Sequence, residues 1–176
     1  MHESVYDEVK IKEWYELYSN QIFRYIFVMI RDRQQARDLM QETFLNAFKH
    51  INDFRGDSNP RTWLYQIARN VTIDYQRKKR PITYFITTFS PVKSNEPTPQ
   101  EILELGEDMD LLFQALSKMK PIYREVIILR KLKEFSIKET AEILGWKESR
   151  VKTMLHRGLN ELRQEMLKGG YSSERI

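Results

Sequence analysis

Apolar residues recur at intervals of three and four through most of the chain, and no stretch alternates with the period of a strand. Between residues 11 and 30, Ile11, Trp14, Tyr15, Tyr18, Ile22, Phe23 and Ile26 form one stripe, the spacing of a helix that buries one side. Gln34–Ile51 repeats the pattern with Leu39, Met40, Phe44, Ala47, Phe48 and Ile51, while Asp38, Gln41, Glu42, Asn46 and Lys49 fall on the opposite side. A break at Asp53-Phe-Arg-Gly-Asp-Ser-Asn-Pro60 leads into a third helix over Thr62–Lys79, with Leu64, Ile67, Ala68, Val71 and Tyr75 as its buried stripe. Further on, Asp110–Met119 and Ile122–Leu132 read as helices around Pro121, which suits the first turn of the second. Ser136-Ile-Lys-Glu139 is a capping box, in which hydroxyl and carboxylate each satisfy the other residue's amide. The helix it opens runs to Leu144 and stops at Gly145, and a last helix extends from Lys147 to about Leu167. The expected fold class is all-α.

Proline divides the chain. Four of its six prolines, Pro81, Pro91, Pro97 and Pro99, fall in one stretch amid Ser, Thr, Asn and Lys, and proline interrupts helices. The pattern therefore predicts two small helical domains, 1–80 and 108–168, a Pro-rich linker at 81–107 and a tail at 169–176. The linker also carries Ile82, Tyr84, Phe85, Ile86 and Phe89, too apolar to stay solvated without cost, so these are expected to pack on one of the domains in the free protein.

Composition removes most chemistries. The 176 residues contain no Cys, three well-separated His and six Gly, which excludes a disulfide scaffold, a thiolate site and a cysteine nucleophile, and argues against a histidine metal centre. Neither G-x-G-x-x-G nor G-x-x-x-x-G-K occurs, and the longest apolar run, Tyr25–Ile30, is too short to cross a bilayer. No cofactor and no small-molecule substrate are expected, and the protein is expected to be cytoplasmic. A phosphate-ester enzyme using Asp and Glu of the first helices lacks converging carboxylates with a partner.

Charge adds direction. The net +4 is unevenly spread: residues 61–80 carry Arg61, Arg69, Arg77, Lys78, Lys79 and Arg80 against Asp74, residues 81–114 set Lys93 against six acids, and the chain beyond residue 114 is basic again. Two basic blocks around an acidic connector fit two contact surfaces for a polyanion, although Arg77–Arg80 is also what a solvated helix end favours.

The strongest local signal lies at the end. Ala141 is small where two helices would touch, Gly145 permits positive φ at the turn, and Val151 buries the second helix on the first, the requirements of a helix-turn-helix. The opposite side of that second helix displays Lys147, Glu148, Ser149, Arg150, Lys152, Thr153, His156 and Arg157, side chains suited to base edges and phosphates in a major groove. An ordinary helical hairpin with a solvated basic face has the same pattern. A stand-alone dimeric helix-turn-helix regulator is the alternative function.

At family level, Asp38-Leu-Met-Gln-Glu-Thr-Phe44, Thr62-Trp-Leu-Tyr-Gln-Ile-Ala-Arg-Asn70 and Asp74-Tyr-Gln-Arg77 resemble region two of bacterial sigma factors. Pro121-Ile-Tyr-Arg-Glu-Val-Ile-Ile-Leu-Arg130, Glu139-Thr-Ala-Glu-Ile-Leu-Gly145 and Val151-Lys-Thr-Met-Leu-His-Arg157 resemble region four. Two regions with a short connector, and nothing long around them, is the layout of the extracytoplasmic-function (ECF) group. The resemblance implies a factor that binds core RNA polymerase, directs it to promoter DNA and helps melt the minus-ten region, commonly under control of an anti-sigma factor that is often membrane-bound. It places core-polymerase binding on Asp38, Gln41, Glu42, Leu45 and Asn46. It places minus-ten contacts on the loop Phe54, Arg55, Gly56, Asp57, Ser58 and Asn59, which would hold an extruded base, and on Arg61, Thr62, Arg69, Asn70 and Arg77 along the single strand. Minus-thirty-five contacts fall on Lys147, Ser149, Arg150, Lys152, Thr153, His156 and Arg157. Trp63 reads as core, and Tyr65 and Tyr75 are open between packing and base contact. Two departures stand out: Thr153-Met154 replaces the family's frequent Ser-Arg, and Gly158 stands in mid-helix where Ala is common, at a helix cost of about 1 kcal/mol that a close approach would justify.

Overall fold

The structure is a computed structural model that describes residues 2–78, with side chains from residue 7, and residues 111–170. The expected linker at 81–107, with its apolar cluster, lies outside the described residues, as do Lys79, Arg80 and residues 171–176. The described residues divide into two compact units, one on either side of that stretch, and each is all-α.

In the first unit, α1 (His2–Ile30), α2 (Arg33–Lys49) and α3 (Pro60–Lys78) pack against one another in all three pairings. The core takes Trp14, Ile22, Tyr25, Ile26 and Met29 from α1, Ala36, Leu39, Met40, Phe44 and Ala47 from α2, and Leu64, Tyr65, Ala68 and Val71 from α3. Helix α1 starts at His2 rather than Ile11. The amphipathic stripe begins at Ile11, but no Gly or Pro lies before it to stop the backbone ladder. Between α1 and α2 the chain reverses through Arg31, held at φ 55, after which the Asp32 carboxylate accepts from the Gln35 amide at 3.0 Å. That cap fixes where α2 begins. Two buried threonines return their hydroxyls to the preceding turn, Thr43 to the Leu39 carbonyl (2.8 Å) and Thr72 to the Ala68 carbonyl (2.7 Å), so neither is a polar cost in the core. Two residues of the expected stripes sit at its border instead: Tyr15 and Phe48 are 40% and 39% exposed, because the buried sector of each helix is narrower than the run of apolar residues.

In the second unit, a helix over 111–118 (α4) precedes α5 (Pro121–Ile127), which runs on as a π-helical segment, Ile128–Leu132. Helices α6 (Ile137–Leu144) and α7 (Glu148–Lys168) follow. The expected uniform helix over Ile122–Leu132 thus ends in a wider turn, in which the Lys133 amide bonds the Ile128 carbonyl and the Phe135 amide the Leu129 carbonyl. The Arg130 guanidinium bonds the Phe135 carbonyl across the same turn, so the chain is drawn back on itself before α6. Upstream, Arg124 of α5 donates to the carbonyls of Leu116 (2.8 Å), Ser117 (2.9 Å) and Met119 (3.1 Å), closing the end of α4 with one side chain. Orphan carbonyls at a helix end need such a donor.

Helix α7 crosses α5 at Gly158, which is buried. A Cβ there would lie 3.2 Å from Ile127 Cδ1 and 3.2 Å from Tyr123 Cβ, so the missing methyl is what admits the neighbouring helix. Gly158→Ala is therefore expected to destabilise the protein by about 1 kcal/mol, because overpacking of about 1–3 kcal/mol outweighs the gain in helix propensity of about 1 kcal/mol. Thermal or urea unfolding measures the sign, and a stabilised variant contradicts the close-contact account.

Candidate nucleic-acid interface

The helix-turn-helix forms from α6 and α7 as local chemistry requires. The Ser136 hydroxyl accepts from the Glu139 amide (3.1 Å) while the Glu139 carboxylate accepts from the Ser136 amide (2.8 Å), so the capping box is complete. Gly145 takes φ 67, and the Trp146 amide bonds back to the Ala141 carbonyl at 2.9 Å. A left-handed residue followed by that bond ends a helix and redirects the chain. Ala141 and Val151 are buried, with Val151 fully so, and α6 packs against α7.

That packing decides which side of α7 faces out. Lys147, Ser149, Arg150, Lys152, Thr153, His156 and Arg157 are all exposed. Thr153 returns its hydroxyl to the Ser149 carbonyl (3.0 Å), and His156 Nε2 lies 3.4 Å from the Asn160 amide nitrogen. Met154, the departure from the family pattern, is half-buried and turned from the centre of that side. Trp146 was missed by the reading of the sequence: the Arg150 guanidinium lies over its ring at 4.4 Å from the centroid. Its position just ahead of a basic helix is the signal that could have found it.

The loop before α3 is built around aromatic rings. Phe54 stands edge-on to Trp14 at 5.2 Å and tilted to Trp63 at 5.2 Å, and Trp14 meets Trp63 at 6.0 Å. Lys10 lies over Trp14 and Phe54 at 5.2 and 5.4 Å. Phe54, expected with the rest of its loop to hold an extruded base, is half-buried and packs its ring against α1 and α3, with Trp63 in the same cluster. The segment it anchors is open: Arg55, Gly56 and Asp57 are exposed, Gly56 adopts φ 77, and Ser58 is half-buried. Asn59 ends it by capping α3, its side-chain oxygen accepting from the Arg61 amide at 2.9 Å, with Pro60 in the first turn.

Along α3, Asn70 and Arg77 lie two turns apart on one exposed side, with Arg77 3.9 Å from Asp74. Arg69 is half-buried. Arg61 is half-buried and tied to α1, its Nε donating to the Gln21 side chain at 3.1 Å. Thr62 corrects the expectation: it is fully buried, one turn from Tyr65 toward the core, and cannot line a strand path. Tyr65 is settled as packing. It is fully buried, its hydroxyl donates to the Gln21 carbonyl at 3.3 Å, and Arg61 lies 5.7 Å from its ring. Tyr75 is half-buried.

On α2, Asp38, Gln41, Glu42 and Leu45 are exposed along one side, and Asn46 is half-buried at its margin. Gln34 donates to the Asp38 carboxylate at 3.3 Å. Leu45 is 60% exposed one turn beyond Glu42, which adds an aliphatic contact at the edge of the acidic face. Among the described residues no group of His, Asp and Glu could hold a metal ion.

Two family descriptions match: Sigma-70 region 2 over residues 14–82 and Sigma-70, region 4 over residues 109–162. The chain is similar to the ECF RNA polymerase sigma factor SigX of Bacillus subtilis, 37% identical over 157 residues that cover 86% of this chain and 81% of that protein. It is 38% identical to the RNA polymerase sigma factor YlaC of the same species over 162 residues, 90% of this chain and 92% of YlaC. Among solved structures, the sigma factor RpoE bound to the anti-sigma factor NepR, from Bartonella quintana, superposes with a TM-score of 0.67 at 25% identity over 90% of this chain and 97% of RpoE. CnrH, solved with the cytosolic domain of CnrY, shares the fold with a TM-score of 0.70 at 21% identity, over 94% and 91% of the two chains.

The buried Tyr65 carries a pH dependence. Burial raises its phenol above the ordinary value, and the charge and hydrogen bond of Arg61 offset part of that. The unfolded phenol ionises near pH 10 while the folded one keeps its proton, so stability is retained below about pH 10 and falls as pH rises past it. Tyr65→Phe is expected to flatten the loss of melting temperature above pH 10, and an unchanged slope refutes the role given to this hydroxyl.

Proposed function

The chain belongs to the ECF group of bacterial RNA polymerase sigma factors, and from that membership we propose how its two units divide the work. Sigma factors are transcription regulators rather than enzymes; this one binds core RNA polymerase and promoter DNA, and polymerisation belongs to the core. The first unit, assigned to residues 1–80, binds core through Asp38, Gln41, Glu42, Leu45 and Asn46. A carboxylate and amide face flanked by an exposed leucine suits a basic helical partner, which can bond the carboxylates and cover the aliphatic surface. The same unit takes the non-template strand at minus ten, with the backbone and polar groups of residues 55–59 around an extruded base and Arg61, Arg69, Asn70 and Arg77 along the phosphates.

The second unit, assigned to residues 108–168, reads the minus-thirty-five duplex through Lys147, Ser149, Arg150, Lys152, Thr153, His156 and Arg157. Residues 81–107 connect the two. The observation that carries this reading is the exposure of Lys147 at the start of α7 and of Ser149, Arg150, Lys152, Thr153, His156 and Arg157 along it, after a turn fixed by Gly145. A stand-alone dimeric regulator leaves the acidic face of α2 and the anchored loop without a task.

Control by an anti-sigma factor follows from the same membership and is supported by relatives solved with such partners. We place the protein in the cytoplasm; among the described residues no helix is long and apolar enough to cross a membrane.

Reconstitution with core polymerase, followed by mapping of transcript starts, tests the assignment. Starts preceded by a shared two-part element at fixed spacing are expected, and a chain that neither binds core nor directs initiation refutes it. Asp38→Arg with Glu42→Arg is expected to weaken core binding by about tenfold or more through reversed charge. As both residues are exposed, stability should shift by less than about 0.5 kcal/mol. Full core binding by that variant removes the face from the interface.

A further inference from the structure

We propose that Trp146, in the turn between α6 and α7, is a positioning residue for promoter reading: its indole holds the Arg150 guanidinium ready for a guanine edge in the duplex. The proposal rests on the assignment of α7 to the minus-thirty-five element and adds a residue that does not itself have to touch DNA.

Four observations converge on it. The Arg150 guanidinium lies 4.4 Å from the Trp146 ring centroid, within the range of a cation held on an aromatic face. The ring has a fixed base, because Gly145 is left-handed and the Trp146 amide is bonded to the Ala141 carbonyl at 2.9 Å. Trp146 is half-buried while Arg150 is exposed, so the platform belongs to the fold and the cation to the solvent side. Arg150 also lies in the first turn of α7, and the N-terminal residues of a recognition helix are those that reach base edges.

The chemistry of the pair explains why it would matter. Stacking occupies the flat face of a guanidinium and leaves the N–H donors on its rim, the donors that meet guanine O6 and N7 as a fork. A free arginine samples many rotamers and loses that freedom on binding, whereas a stacked one has already surrendered part of it. Lys152 and Arg157 are exposed on the same helix, and among the described residues Arg150 is the cation of this face lying over a ring. Nearby Glu148 is two positions away, a spacing that does not bring side chains together on a helix. Arg150 therefore enters the groove pre-oriented, by a residue that lies outside the recognition helix.

The test uses the full chain in holoenzyme and a duplex library randomised over the minus-thirty-five element. Selection with the wild type should enrich guanine at one position, and Arg150→Ala should flatten that position. Trp146→Leu, which keeps an apolar side chain but removes the aromatic face, should flatten the same position with a loss of about three- to tenfold. Trp146→Phe should retain most of the preference, and Trp146→Leu with Arg150→Ala should do no worse than Arg150→Ala. A Trp146→Leu profile equal to wild type, a loss spread evenly over all positions, or multiplying effects in the double variant would each overturn the positioning role. A wild-type holoenzyme that enriches nothing refutes the assignment of α7 and the proposal with it; flattening by Arg150→Ala alone refutes only the proposal.

Discussion

A helix begins in amides and ends in carbonyls that its own ladder does not use, and a protein made only of helices must satisfy such groups at every helix end. How these ends are satisfied governs the rest of the molecule. Asp32 caps α2, Asn59 caps α3 and Ser136 with Glu139 caps α6. Arg124 gathers three carbonyls behind α4, and Gly145 with the Trp146 amide closes α6. Each solution fixes a direction of chain as well as an energy. The Asn59 cap determines where the exposed loop must rejoin α3, and the Gly145 closure determines which side of α7 turns outward. The exposed faces proposed to be functional follow from where the helices stop.

That dependence explains what could be read from the sequence. Capping uses few residue types at fixed offsets, so Ser136, Glu139 and Gly145 declared the helix-turn-helix before any packing was known, and Val151 gave its register. The exposed set on α7 followed from that register alone. The acidic side of α2 was equally legible, since Leu39, Met40, Phe44 and Ala47 define the opposite side. Gly158 could be flagged as a cost in a helix, but only the approach of Tyr123 and Ile127 gives the reason for it.

The unread parts share a cause, which is that periodicity reports a direction but not a neighbour. Thr62 looks like a polar residue beside a basic one, yet the core closes over it. Phe54 lies in a polar loop, and its partners Trp14 and Trp63 belong to two different helices. The π turn after Ile127 has no compositional mark, and only the bonds made by the Lys133 and Phe135 amides define it. For Phe54 the contact with Trp14 joins residues far apart in sequence, whereas the π turn closes through bonds between near neighbours. Aromatic residues show this most: Phe54 packs on Trp14 and Trp63, and Trp146 lies under a cation.

The placement of the tryptophans has an optical consequence. Trp14 and Trp63 flank the loop anchor, and Trp146 lies beneath the Arg150 guanidinium; together they are all three indoles of the chain. Indole emission therefore originates at the two elements proposed to touch promoter DNA, without any introduced label. Emission from the first pair reports the loop of one unit, and emission from the third reports the turn of the other. Energy transfer and mutual quenching within the close pair give it a signature distinct from that of the isolated indole. Each unit thus carries an indole beside the element proposed to meet promoter DNA.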